Sequence, residues 1–249
     1  MQSDPFLVEG VSVQPLSLEQ ASARICDDAS NGSAFSVFTI NLDHIVKLRR
    51  DSVFRAAYKR ARIVLPDGFP IVLAGLLQRR SVRRTAGSDL IEPLCAEASR
   101  RGLPVLLYGS TFETLTKAAR HLKSHHNNLE IAGVYAPQYG LDVLSDDANE
   151  SLDFIRNSGA HLCFVALGAP KQEIFADRCA SEMQGLGFIC IGAGLDFLAG
   201  KQQRAPKFFQ ATGMEWLWRM MSDPRRLAKR YLECLYVFPS VLLEGFARR

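Results

Sequence analysis

The amino-acid sequence predicts an α/β protein: a mostly parallel sheet with helices on both faces, followed by a basic helical C-terminal appendage. Three observations predict it. From about residue 35, short β-rich runs alternate with longer helical patterns, which is the grammar of βαβ units. The runs are apolar almost throughout, as strands covered on both faces must be. The end of the chain is electrostatically distinct: residues 201–249 hold ten Lys/Arg against four Asp/Glu, although the whole chain carries a net charge of only +4.

The elements follow in order. FSVFTI is the first clear strand, and one helix is expected through LDHIVKLRRDSVFRAAYK. RIVL is the next strand, and PDGFP leads into a helix starting near Phe69 or Pro70. PVLLYG precedes the helix TFETLTKAARHLKSHH, for which Ser110 and Glu113 have capping-box spacing. LEIAGVYA precedes a helix near 145–157, HLCFVALG precedes KQEIFADRCASEM, and FICIGAG ends the series. Pro170 suits a first helical turn, where a backbone N–H has no intrahelical use. In the tail, Asp223-Pro224 should separate EWLWRMM from RRLAKRYLECLYVF. With no internal repeat or linker, residues 1–206 are expected to form a Rossmann-like body and 207–249 the appendage.

A chain of 249 residues, 47% hydrophobic and 22% charged, is ordinary for a globular protein with a large core. Its six cysteines lack CxxC spacing and lie partly in apolar runs, so they are expected to be reduced core residues of a cytoplasmic protein. MQSDPFLVEG lacks the basic and apolar regions of a secretory signal, and no run approaches about 18 uninterrupted apolar residues. The expectation is a chain neither secreted nor membrane-spanning.

Ligands of parallel sheets collect at the carboxyl ends of strands, where helix N-termini also point. That places the candidate residues at Thr39 and Asn41, at Pro66-Asp67-Gly68, at Gly109-Ser110, from Gly168 to Glu173, and from Gly192 to Asp196. Asp67 follows an apolar strand and precedes a glycine; a carboxylate so placed can serve as general base, although Pro-Asp-Gly is also a common turn. In GAPKQE, Gly168 leaves room for a ligand, and Gln172 can donate and accept; a well-capped, solvated helix start fits the same residues. GAGLDFLAG has Gly192 and Gly194 but Phe197 where a dinucleotide fingerprint needs its third glycine, which argues against a nicotinamide enzyme and leaves Asp196 as ligand contact or helix cap.

His121 and His125 share a helix face without a carboxylate or cysteine nearby in sequence, and no DxD motif is present, so neither metal nor cofactor is expected. In the tail, Arg219, Arg225, Arg226, Lys229 and Arg230 lie near Trp216 and Trp218 and precede LYVFPSVLLEGF. This composition suits phosphate binding and a membrane interface, or simply a basic helix packed through its apolar face. Outside the tail the chain is slightly acidic, which speaks against nucleic acid. A non-catalytic nucleotide- or membrane-binding module is the alternative to an enzyme.

The ordered set TINLDHI, LPDGFPIV, RRTAGSDL, LLYGS, LGAPKQE, GAGLDFLAGKQQRAP and EWLWRMMSDPRRLAKRY resembles the WecG/TagA/CpsF family, glycosyltransferase family twenty-six, over roughly residues 35–235. The resemblance implies inverting, metal-independent transfer from a UDP-sugar donor to a polyprenyl-diphosphate-linked sugar at the cytoplasmic face of the membrane. It implies Asp67 as catalytic base, with Thr39 and Gln172 in the active site. Asn41, Arg84, Asp89, Gly109, Ser110, Gly168, Pro170, Lys171, Glu173, Gly194, Asp196 and Arg204 fall in the motifs expected around the substrates. Arg219, Arg226 and Arg230 match the basic segment expected to engage the acceptor diphosphate, and the adjacent Arg225 could exchange roles with Arg226. Donor sugar and acceptor saccharide are left open, as is the oligomeric state, a homo-oligomer included.

Overall fold

The computed structural model describes residues 4–202, 205–206, 209, 218, 220–221 and 223–248, with the backbone alone at Arg226. The chain starts with a hairpin that the βαβ reading did not include, β1 (Phe6–Val8) and β2 (Val11–Val13). Glu9 and Gly10 both take positive φ, 52° and 74°, the backbone of a two-residue hairpin turn that follows strand twist. A first helix, α1 (Leu18–Ser30), was also not anticipated, although Ser17 and Gln20 form a complete capping box before it.

Among the described residues one six-stranded parallel sheet follows, built from β3 (Phe35–Ile40), β4 (Ile63–Pro66), β5 (Val105–Gly109), β6 (Ile131–Tyr135), β7 (Leu162–Ala166) and β8 (Gly187–Cys190). Its spatial order is β4-β3-β8-β7-β5-β6. Strand alternation divides the core in two. Phe38, Ile40, Tyr108, Val165 and Phe188 face α2 (Leu42–Arg50), α3 (Ser52–Arg60), α4 (Phe69–Leu77), α7 (Asn149–Arg156) and α8 (Lys171–Glu182). Val37, Leu65, Leu107, Phe164 and Ile189 face α1, α5 (Gly87–Arg101), α6 (Phe112–His125) and α9 (Gly194–Leu198). All six cysteines are free and buried, as hydrophobic packing of a reduced thiol requires.

Two local expectations are corrected. The single helix expected over residues 42–59 is two, because Asp51 is extended and its carboxylate accepts from the amides of Val53 and Phe54 at 2.9 and 3.0 Å, ending α2 and starting α3. α6 is capped by Thr111, not Ser110: Thr111 Oγ1 accepts from Thr114 N, while Ser110 still belongs to the strand end, its backbone N–H donating to Ala166 O. Glu113 pairs with Lys117 instead of closing a capping box.

The last helix, α10 (Pro224–Ala247), starts at the expected proline; Glu215, Trp216 and most of the preceding EWLWRMM run lie outside the described residues. It packs against α2, α4 and β1, and buries Leu227, Cys234, Val237 and Val241. Polar contacts add to that seam: Arg230 to Asp43, Arg50 to Glu233, and Arg49 to Ser240, at 2.9, 2.9 and 2.7 Å.

Candidate active site

The carboxyl ends of β4, β3, β8, β7 and β5 form a row, and most of the sequence-predicted residues outside the tail lie along it. The helices after β5 and β7, α6 and α8, cover opposite faces, so these adjacent strands diverge into a crevice of the kind that binds ligands in open α/β sheets. At a strand spacing of about 4.8 Å, the row from β4 to β5 is roughly 19 Å long.

Asp67 occupies one end. Its amide donates to Ile40 O at 2.9 Å, so the turn after β4 is stitched to the end of β3. Gly68 takes φ +85°, which turns the chain into α4 directly behind the carboxylate. Asn41 caps α2 by accepting from His44 N, and its Nδ2 lies 3.4 Å from Asp67 Oδ2. Arg84 stands 3.7 Å from Asp67 Oδ1 and holds Asp89 at 2.6 Å. The Asp67 side chain remains 25% exposed, so a hydroxyl can reach it. Thr39 shares strand parity with Val37, and its carbonyl is gripped from the other face by Tyr58 Oη at 2.6 Å and His44 Nδ1 at 2.7 Å. Burial pushes His44 down to about 4 and Tyr58 well up, so both are neutral groups that fix the strand end.

The middle of the row belongs to α8. Gln172 is buried, its Oε1 accepting from Gly192 N at 3.1 Å and its Nε2 donating to Glu173 Oε1 at 2.7 Å. It therefore ties the end of β8 to α8, with one amide hydrogen left for another partner. Glu173 is fully buried, its Oε2 accepts no hydrogen bond from the described residues, and burial raises its carboxyl to about 7. Beneath the surface in this way, it does not line the row as expected. Pro170 is the cap residue of α8, one position before the first turn; Gly168 has open space around it, and Lys171 Nζ donates to Leu141 O.

At the far end, Gly109 takes φ +106°, and a Cβ there would lie 2.4 Å from Ala166 O, so only glycine lets β5 and β7 end this close together. Ser110, itself at φ 47°, donates to Asp196 Oδ1 at 2.9 Å. Asp196 is in the first turn of α9, whose cap is Ala193, so its carboxylate is committed to Ser110 and Gln202, not to capping. Gly194 is buried where a side chain would strike Ile91, which makes its role one of helix packing.

Arg204 and Arg219 lie outside the described residues, as does the side chain of Arg226. Arg225 is exposed, and Arg230 is paired with Asp43, whose carboxyl burial would raise but which Arg230 and Lys47 hold below its ordinary range. Asp43, His44 and Tyr58 were not singled out from the sequence: Asp43 and His44 read as ordinary first-turn helix residues, and the partners that give them their places, Arg230 and Tyr58, come from other elements. Among the described residues, no three of His, Cys, Asp and Glu gather as a metal-holding group. The sequence profile of the Glycosyl transferase WecG/TagA/CpsF family matches residues 6–249, essentially the whole chain, and the chain belongs to that family.

Proposed function

From that membership, which makes the chain a glycosyltransferase using a nucleotide-sugar donor and a saccharide acceptor, we propose the finer reaction. A sugar passes from a UDP-sugar to a saccharide on a polyprenyl diphosphate, with inversion and without a metal, at the cytoplasmic face of a membrane. Asp67 carries the reading: it is a part-exposed carboxylate at a strand end, oriented by Asn41 and Arg84. As general base it takes the proton of the acceptor hydroxyl, whose oxygen bonds to the anomeric carbon while the bond from that carbon to the diphosphate oxygen breaks. UDP leaves with the electron pair. The Ser110–Asp196 end of the row is assigned to the nucleoside, and Gly168, Lys171 and the first turn of α8 to the diphosphate. Gln172 and Thr39 shape the floor between.

The tail is assigned to acceptor and membrane. α10 turns Leu232, Leu235, Tyr236, Leu243 and Phe246 outward at helical spacing, opposite its buried face, with Arg225 and Lys229 exposed toward its start. No described helix is long and apolar enough to cross a membrane; such a face suits a helix lying in the interface, and α4 beside it also exposes Phe69 and Leu76. UDP release from a panel of UDP-sugars, with a short-chain polyprenyl diphosphate acceptor, tests the reaction. One donor should be consumed by the wild-type protein and not by Asp67→Asn; equal turnover by both would remove Asp67 as base.

A further inference from the structure

The first turn of α2 touches three separate parts of the molecule. Asn41 reaches Asp67, and His44 reaches the Thr39 carbonyl. Asp43, between them in sequence, turns the other way and meets Arg230 of α10 at 2.9 Å and Lys47 of its own helix. Asp43 is buried, so its charge is compensated by these two cations and not by water. Removing either cation leaves a buried charge under-compensated, a cost that the first turn of α2 has to relieve.

We propose that Asp43 is a positioning residue for the transfer reaction: through the Asp43–Arg230 pair, docked α10 fixes the first turn of α2 and hence the Asn41 side chain that orients Asp67. Arg230 is then a pin between tail and catalytic body, and gripping of the acceptor diphosphate falls to the other arginines of the segment. The inference rests on Asp67 being the base. Arg50–Glu233 and Arg49–Ser240 continue the same seam along α2, but both lie at its far end, away from the site. Asp43 is the member of the seam that shares a turn with Asn41.

The test uses the full chain and a water-soluble short-chain acceptor, with Asp43→Asn, Arg230→Gln and the double variant. Each single change should lower kcat about tenfold to a hundredfold, as small misplacements of catalytic groups do, with acceptor KM little changed. The double variant should be no worse than either single one, and Arg230→Lys should recover part of the loss. Without substrate, the amide of His44, which donates to Asn41 Oδ1, should exchange hydrogen faster in both single variants. Additive losses overturn the pin. So does a raised acceptor KM with unchanged kcat in Arg230→Gln while Asp43→Asn behaves as wild type, which would return Arg230 to the diphosphate. Unchanged exchange at His44 also overturns it. Should wild-type protein transfer no sugar while exchange at His44 still accelerates in both variants, the pin stands and the reaction assigned to the site falls.

Discussion

Glu173 and His44 make opposite demands on pH. Glu173, raised to about 7 in the fold from an ordinary 4.5, stabilises most below pH 4.5 and loses that contribution as pH rises through 7. His44, lowered to about 4 from 6.5, stabilises above pH 6.5 and loses its contribution as pH falls through 4. Between about pH 4.5 and 6.5 the two slopes oppose each other. Glu173→Gln, which keeps the shape and removes the charge, should make the protein more stable at pH 8, by up to on the order of 3 kcal/mol. It should also leave stability rising with pH from 4 to 6.5; urea denaturation across that range measures both. Asp67→Asn should reduce turnover about 10²- to 10⁴-fold with UDP binding retained, and the wild-type rate should fall on the acid side as the base is protonated. The place of Asp67 at a strand end was legible in the sequence because a strand, a carboxylate and a glycine follow one another directly. The burial of Glu173 was not legible, because Lys171-Gln172-Glu173 has the composition of a solvated helix start and the burial comes from α8 packing on α3 and β3, which local sequence does not contain.

At the scale of elements, the parallel strands were legible because each is an almost wholly apolar run, and their order was not, because order depends on crossovers between distant segments. The break between α2 and α3 was not legible because the hydrophobic period continues through Asp51; a single side chain capturing two amides decides it. Asp51→Ala should therefore cost about 1 kcal/mol and lower Tm by roughly 2–4 °C in a chain this size, without changing transfer. Gly109→Ala should do far more, because the new methyl meets a backbone carbonyl and the φ disfavours it as well. Scanning calorimetry of the two variants should rank Gly109→Ala as the larger loss; the reverse order would contradict the close approach of β5 and β7.

For the molecule as a whole, the tail's charge was visible from composition, whereas its docking on α2 and α4 required the fold. Replacing Leu232, Tyr236 and Leu243 on the outward face of α10 by glutamine should weaken sedimentation with anionic vesicles and leave Tm nearly unchanged, since these side chains are exposed and do not belong to the core. Transfer to a soluble acceptor should persist. Loss of that activity along with vesicle binding would mean that the outward face also contacts substrate.

The hairpin gives the chain's two ends a common fate during synthesis. Glu9 N donates to Glu244, 235 residues later, and β1 packs against α4 and α10. At about 5–20 residues per second, a ribosome delivers that partner roughly 12–47 s after the hairpin has been made. Through that interval the first strands have no final helix to rest on. A nascent chain stalled before Pro224 should be cut by protease near Glu9-Gly10, and release of the finished chain should close the site to cleavage.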